Sequence, residues 1–290
     1  HEILEYDEVK LFLELGHEVF SMGAYQTSNV GTGMRLPLTN YTVNQHLSAI
    51  SIQCSKENIH PDLINWADVI ISMHNSRVDI KSHPQPWINA NWDKFQGKPV
   101  VWRSIGQSTR EIEKSLKKFR DKGLKIIRYS PKERNIPSFV GEDALIRFYK
   151  DPNEYSGYIG QVPRIVNLSQ ALFGSDQVRS RGDHMSIDVF KGAVDGLEWR
   201  VYGRDNQLAD SHDGGVLDPL DALTMLKLNR AYFYLGTQPA SYTLGFIEAF
   251  MTGTPIIAIG PDFGNSIYQQ GTYEVHEIIE NGVSGFWSNS

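Results

Sequence analysis

Short apolar runs alternate with helical segments along most of the chain, and this alternation restricts the possible folds more than any other feature. The apolar runs cover residues 67–74, 99–103, 125–129, 144–149, 164–168, 198–202, 231–235 and 256–259. Amphipathic segments that suit helices lie among them, at residues 109–122, 183–194 and 217–229. Apolar strands alternating with helices are typical of parallel sheets covered on both faces. The sequence therefore predicts an α/β protein.

The alternation is interrupted once by a stretch rich in turn-forming residues, DPNEYSGYIGQVP, at residues 151–163. A chain of 290 residues is long enough for two domains. We therefore predict an N-terminal domain over residues 1–155 and a C-terminal domain over residues 156–290. Ligands in such sheets gather at the carboxyl ends of the strands, which is where the predicted sites should lie.

Composition argues against several classes of protein. The net charge of −6 and the isoelectric point of about 5.9 argue against a broad nucleic-acid surface. The single cysteine, Cys54, allows no internal disulfide and suits a reducing compartment, so we expect a cytoplasmic location, with peripheral attachment to a membrane left open. No apolar run approaches the roughly 20 residues of a membrane span. The acidic start shows no signal peptide. We expect the natural chain to extend at both ends, because the sequence opens without Met almost directly in a helix pattern and closes just after a strand-like turn at residues 285–288.

Residues 231–260 hold the clearest candidate site. They predict a buried strand, a loop, a helix over 242–251 capped by Ser241, and a second strand. A helix N-terminus favours phosphate, because its N–H groups are unpaired and it carries partial positive charge. Helical spacing places Glu248 on the face of Ser241, Leu244 and Gly245, where its carboxylate could accept both hydroxyls of a ribose. The alternative is an ordinary strand–helix–strand unit with Glu248 on a solvated face.

This segment resembles the C-terminal donor-site motif of family-4 glycosyltransferases of GT-B fold. The matching residues are Pro239, Leu244, Glu248, Ala249, Gly253, Thr254 and Pro255. The first glutamate of the family motif, which usually contacts the donor sugar, falls on Ala240. The resemblance covers roughly the last 130 residues of the 290 well, whereas the N-terminal half matches in pattern only. It implies two Rossmann-like domains facing across a cleft.

The resemblance also implies an activity. The chain would transfer a sugar from a UDP- or GDP-linked donor to an unknown sugar, lipid or small-molecule acceptor, with retention of configuration and without a metal. No cofactor is implied beyond the donor itself. The second glutamate of the motif, here Glu248, would hold the ribose. A Lys-Gly pair of the family falls on Arg181-Gly182, so Arg181 and the amides of Thr243 and Leu244 would bind the diphosphate.

Other positions complete the predicted donor site. Arg179 lies with Arg181 on a predicted strand–helix loop, where two guanidiniums could hold a diphosphate, although a solvated loop is the alternative. Gly203 and Arg204 end a predicted strand, and residues 215–217 resemble the segment that borders the nucleotide base. The predicted donor-binding residues are Ser169, Arg179, Arg181, Gly203, Arg204, Val216, Ser241, Tyr242, Thr243, Leu244 and Glu248.

The acceptor side rests on two residues that follow predicted strands. His74 could contact the transferred sugar or the acceptor hydroxyl, although a strand-end histidine is more often structural. The cleft histidine of the family would fall near Ile105 and is absent, and Gln107 stands close by. Gln107 can bond sugar hydroxyls but cannot act as a general base. The predicted catalytic residues are His74, Arg181 and Glu248. No Asp-x-Asp and no metal-ligand spacing occurs, so no metal site is predicted.

The sequence leaves two alternatives to the transferase open. One is an epimerase or hydrolase of nucleotide sugars with the same fold. The other is a nucleotide-sugar binder without activity, which Ala240 and the missing histidine near Ile105 make plausible. Release of nucleotide on addition of an acceptor would distinguish a transferase from both.

Overall fold

The structure is a computed structural model. It describes residues 2–20, 47, 58–73, 87–106, 108–170, 172, 187–206, 208, 211–237, 239–267 and 271–289. These residues divide into two compact units, of which the first ends at Arg147 and the second begins at Phe148. None of the helices within the described ranges is long and apolar enough to cross a membrane.

The first unit is built on a parallel sheet. Its described strands lie in the order β1-β2-β3-β4. The elements in chain order are α1 (Glu2–Glu14), α2 (Pro61–Trp66), β1 (Ile70–Met73), α3 (Trp87–Asn91), a 3₁₀ turn (Trp92–Phe95), β2 (Val100–Arg103), α4 (Arg110–Arg120), β3 (Lys125–Arg128), a second 3₁₀ turn (Pro131–Asn135) and β4 (Ala144–Leu145).

Helix α4 shows how the sequence builds this unit. Thr109 caps the helix, because its hydroxyl accepts a hydrogen bond from the Ile112 N–H at 3.4 Å. Ile112, Leu116 and Phe119 recur at helical spacing and are buried in the same core as Trp102 of β2. The charged residues on the opposite face of α4 remain in water, so one side of the helix covers the sheet.

The second unit is also a parallel α/β unit. Its described strands lie in the order β6-β5-β7-β8-β9. The elements in chain order are α5 (Pro152–Tyr155), β5 (Val162–Leu168), α6 (Ile187–Val194), β6 (Trp199–Tyr202), α7 (Pro219–Leu228), β7 (Asn229–Tyr234), α8 (Leu244–Thr252), β8 (Ile256–Ile259), α9 (Pro261–Ile267), α10 (Val275–Ile278) and β9 (Phe286–Ser288).

Helix α8 is the element that most directly positions the candidate site. It packs against α5 and α7 and buries Phe246 and Ala249 completely. Gly253 ends the helix with φ of +79°, the left-handed conformation that glycine adopts without steric cost. Because β5, β6 and β7 are parallel neighbours, their carboxyl ends and the start of α8 lie at one edge of the sheet.

The structure confirms the predicted strand and helix alternation, with two differences. The apolar run 144–149 forms a strand only at Ala144–Leu145. This strand, β4, lies at the edge of the described sheet, and its hydrogen bonding to β3 ends where the Ile146 N–H donates to the Arg128 carbonyl. Helix α8 begins at Leu244 with Thr243 in the cap position, so the prediction of a helix from residue 242 capped by Ser241 was wrong.

Candidate functional site

The ends of β5 and β6 are in direct backbone contact. The Ser169 N–H donates to the Tyr202 carbonyl at 3.0 Å, and the Asn206 side-chain amide donates to the Ser169 carbonyl at 2.7 Å. Gly203 has φ of +147°, and a Cβ at this position would lie 2.4 Å from the Ser169 carbonyl oxygen. Only glycine fits here. The predicted residues Ser169 and Gly203 are therefore brought together.

The loop beyond Gly203 lies beside the same strand end. The Gly203 N–H donates to the Gly215 carbonyl at 2.9 Å, and the Gly215 N–H donates to Asp213 Oδ1 at 2.8 Å. Val216 follows and is 48% exposed. The predicted residues Gly203 and Val216 thus border one small surface, which combines the exposed glycine Gly215 with the exposed apolar side chain of Val216. Such a surface suits the flat face of a nucleotide base.

The N-terminus of α8 supplies backbone donors. The Phe246 and Ile247 N–H groups both donate to the Thr243 carbonyl, at 3.2 and 3.4 Å. The amides of Leu244 and Gly245 precede them in the first turn, where an α-helix offers no backbone acceptor. The Thr243 side chain makes no capping hydrogen bond. This end of α8 therefore has the features that favour a phosphate.

Ser241 and Tyr242 are buried just before this helix. The Ser241 carbonyl accepts a hydrogen bond from the Glu274 N–H at 3.2 Å. The Tyr242 ring packs edge-on against Phe148 and also contacts Phe246. These contacts hold residues 241–242 outside the helix and explain why the helix starts later than the sequence predicted.

Glu248 forms an ion pair that the sequence did not reveal. Lys150 Nζ lies 2.9 Å from Glu248 Oε1, and the Lys150 side chain is 0% exposed whereas that of Glu248 is 16% exposed. The ammonium group also lies 5.1 Å from the centre of the Tyr155 ring. The glutamate that the motif assigned to the ribose is therefore already held by a buried cation.

A buried tyrosine adjoins the same carboxylate. Burial raises the pKa of Tyr232 well above its usual range, and the nearby Tyr234 and Glu248 raise it further. Tyr232 therefore stays neutral at physiological pH. A Cβ on Gly245 would lie 3.1 Å from the Tyr232 hydroxyl, so the glycine leaves room for that hydroxyl beneath the first turn of α8.

Four of the predicted site residues, His74, Gln107, Arg179 and Arg181, lie outside the described residues. Arg204 is described, and it lies half-buried in the turn after Gly203. The described donor residues lie in two groups: one is at the ends of β5 and β6, and the other is at or just before the start of α8.

A buried polar network lies at the strand ends of the first unit. Glu133 accepts hydrogen bonds from the Ser104 hydroxyl at 2.8 Å and from the Ser108 hydroxyl at 2.7 Å. Arg128 and Glu113 form a bidentate ion pair at 2.6 and 2.8 Å, and both side chains are 0% exposed. Burial raises the pKa of Glu133, while Arg128 and the serine hydroxyls oppose the shift. This network fixes both ends of the loop that follows β2.

Two positions that depart from the family motif are described. Ala240, where the motif carries a glutamate, is buried. Ile105 is half-buried in the loop after β2. In the described part of the chain, no group of three or more His, Cys, Asp or Glu side chains could hold a metal ion.

The fold and the site define an α/β protein of two parallel-sheet units, with an anion-favouring helix terminus and a carboxylate at one strand edge. No protein-family model and no curated protein matches the sequence. Solved structures do match. The glycosyltransferase from Rickettsia africae ESF-5 superposes with a TM-score of 0.58 at 12% identity, over 100% of this chain and 81% of that one.

Structures of Anabaena Alr3699/HepE are also similar. The complex with UDP and glucose gives a TM-score of 0.52 at 13% identity, over 78% of this chain and 66% of that one. The complex with UDP-glucose gives 0.52 at 12% identity, over 78% and 67%. This chain thus spans about two thirds of HepE. At such low identity the likeness concerns the fold, and the fold is GT-B, as the sequence predicted.

Proposed function

We propose that this protein is a glycosyltransferase that moves a sugar from a nucleotide diphosphate sugar to an acceptor. One observation carries the proposal: the first turn of α8, with Glu248 one turn inside the helix, lies at the strand edge where parallel α/β sheets bind ligands. The similar HepE structures, which contain UDP or UDP-glucose, support a nucleotide-sugar donor.

Each part of the donor would meet a different group of the second unit. The amides of Leu244 and Gly245 would bind the diphosphate, where negative charge develops as the sugar leaves. Glu248 would accept hydrogen bonds from the ribose hydroxyls. The surface of Gly203 and Val216 would border the base. Arg181, outside the described residues, would add positive charge at the diphosphate.

We propose transfer with retention of configuration and without a metal, in the cytoplasm. The first unit would bind the acceptor through His74 and Gln107, while the second would bind the donor.

A second candidate is a protein that binds nucleotide sugars without transferring them. The buried methyl group of Ala240 favours it, because the family motif has a sugar-contacting carboxylate at that position. The two functions differ in donor consumption. A transferase releases UDP or GDP faster when an acceptor is added, whereas a binder releases neither. A hydrolase releases nucleotide at a rate that acceptors do not change, and an epimerase alters the sugar without releasing nucleotide.

Titration calorimetry with UDP and GDP tests the donor site directly. The substitution Glu248→Ala should weaken binding of the preferred nucleotide by about 1–3 kcal/mol, the scale of hydrogen bonds to a charged group. Glu280→Ala removes an exposed carboxylate from the same unit and should leave the affinity unchanged. Circular dichroism establishes that both variants are folded at the assay temperature. Equal affinity in wild type and Glu248→Ala would remove Glu248 from the donor site.

A further inference from the structure

We propose that Lys150 is a positioning residue for nucleotide binding, which acts by holding the Glu248 carboxylate in the orientation that a ribose requires. The inference rests on the proposed function, because it concerns the same carboxylate. Lys150 lies far from the donor motif in the sequence, and neither its charge nor its burial follows from that motif.

The ion pair is asymmetric in a way that suits this role. The Lys150 side chain is completely buried, whereas Glu248 retains 16% exposure. An ammonium group is costly to bury unless an opposite charge compensates it. Separating the Lys150 ammonium from the Glu248 carboxylate would therefore be costly. The exposed fraction of Glu248 marks the side from which a ligand can approach.

The geometry leaves one carboxylate oxygen for the ligand. Lys150 Nζ lies 2.9 Å from Oε1 of Glu248. A carboxylate has two oxygens with about four acceptor positions, so Oε2 can still accept from ribose hydroxyls. A free glutamate would lose rotamer entropy on binding the ribose, and a carboxylate that is already fixed loses less. Lys150 thus favours binding without touching the nucleotide.

The ammonium is itself fixed by the segment that carries it. Its position near the face of the Tyr155 ring, 5.1 Å from the centre, places it at the end of the short helix α5. The Lys227 ammonium of α7 donates to the Glu154 carbonyl at 2.9 Å and so holds the same helix. Lys227 thus supports the segment by a contact that does not involve Glu248, which makes it a matched control.

The test compares UDP with 2′-deoxy-UDP, and GDP with 2′-deoxy-GDP, by titration calorimetry. In wild type, the ribonucleotide of the preferred base should bind about tenfold more tightly than its deoxy form, the scale of one hydrogen bond to a charged group. In Lys150→Met, this ratio should fall below about threefold. In Lys227→Met, the ratio should remain at the wild-type value, although stability can fall. A purely structural Lys150 would lower stability in the same way and leave the ratio unchanged.

The outcomes separate the inference from the function on which it rests. If wild type binds neither UDP nor GDP, the proposed function fails. If wild type binds one of them and Lys150→Met keeps the full ratio, the positioning role is refuted while the function stands. A wild-type ratio near one also refutes the role, because Glu248 then does not contact the 2′-hydroxyl. If Lys150→Met does not fold, Lys150→Gln, whose amide can still donate to Glu248, should give an intermediate ratio, and an unchanged ratio overturns the proposal.

Discussion

The contact between the ends of β5 and β6 predicts that Gly203 tolerates no side chain. The substitution Gly203→Ala would place a Cβ 2.4 Å from the Ser169 carbonyl oxygen and 2.7 Å from its carbonyl carbon. Both are backbone atoms, so no side-chain rotation relieves the overlap. The φ of +147° is in addition a conformation that alanine rarely adopts.

The expected cost has two parts. Forcing a side chain into a disfavoured backbone conformation costs about 1–2 kcal/mol, and overfilling a packed contact adds about 1–3 kcal/mol. Gly196 provides the matched control, because its φ is +72° but a Cβ added there would have no neighbouring atom within 4 Å. Gly196→Ala should therefore cost only the first part. The difference between the two variants should be at least about 1–3 kcal/mol, and it reports the close approach of the strand ends together with the rarer φ of +147° at Gly203.

Urea denaturation followed by circular dichroism gives the free energy of unfolding for both variants. Intrinsic fluorescence, to which Trp199 at the start of β6 contributes together with the other five tryptophans, provides a second readout. Nucleotide affinity should also fall in Gly203→Ala, because the base surface shares this backbone. If Gly203→Ala and Gly196→Ala destabilise the protein equally, the ends of β5 and β6 are not in the contact that the structure describes.

Two further predictions concern the buried network of the first unit. Because the folded-state pKa of Glu133 is raised above its usual 4.5, this carboxyl stabilises the fold at low pH and loses that contribution as pH rises through the folded value. The free energy of unfolding of Glu133→Gln should therefore improve relative to wild type as pH rises from about 4.5 to 7.5, and a difference that is constant with pH would contradict this. Glu113→Gln leaves the buried Arg128 without its bidentate partner and should cost about 3–5 kcal/mol in urea denaturation. Adding Arg128→Met should recover much of that loss, and a single variant of near wild-type stability would show that the pair is not buried as described.

The alternation of strands and helices could be predicted because burial leaves a direct trace in the sequence. Residues 256–259 and 100–102 are continuous apolar runs, and they form β8 and most of β2 because strands covered on both faces are largely apolar. The last residue of β2, Arg103, is buried and pairs with Glu8. The sequence predicts a helix from Thr109, and the capping bond of this residue shows why the helix starts there. Such signals are local, so neighbouring residues suffice to read them.

The start of α8 could not be predicted in the same way, because a distant contact decides it. Ser241 is a good capping residue by type, but its carbonyl accepts from the Glu274 N–H, and the adjacent Tyr242 ring is buried against Phe148. Both contacts are tertiary, and they keep residues 241–242 outside the helix. Of the two amides predicted to bind phosphate, that of Leu244 therefore lies in the first turn of the helix, whereas that of Thr243 belongs to the cap residue before it.

The ion pair of Glu248 shows why a sequence motif identifies a carboxylate but not the charged groups that surround it. The spacing of the motif specifies which helix face carries Glu248, whereas the electrostatic environment depends on Lys150, which the fold supplies from before α5. The residues next to Lys150 in the sequence do not distinguish it from an exposed lysine, so its burial could not be predicted. If the buried ammonium compensates the carboxylate, a ribose hydroxyl meets a fixed acceptor whose charge is already balanced. Affinity for the nucleotide would then depend on orientation more than on net charge, which is the property that the deoxynucleotide comparison measures.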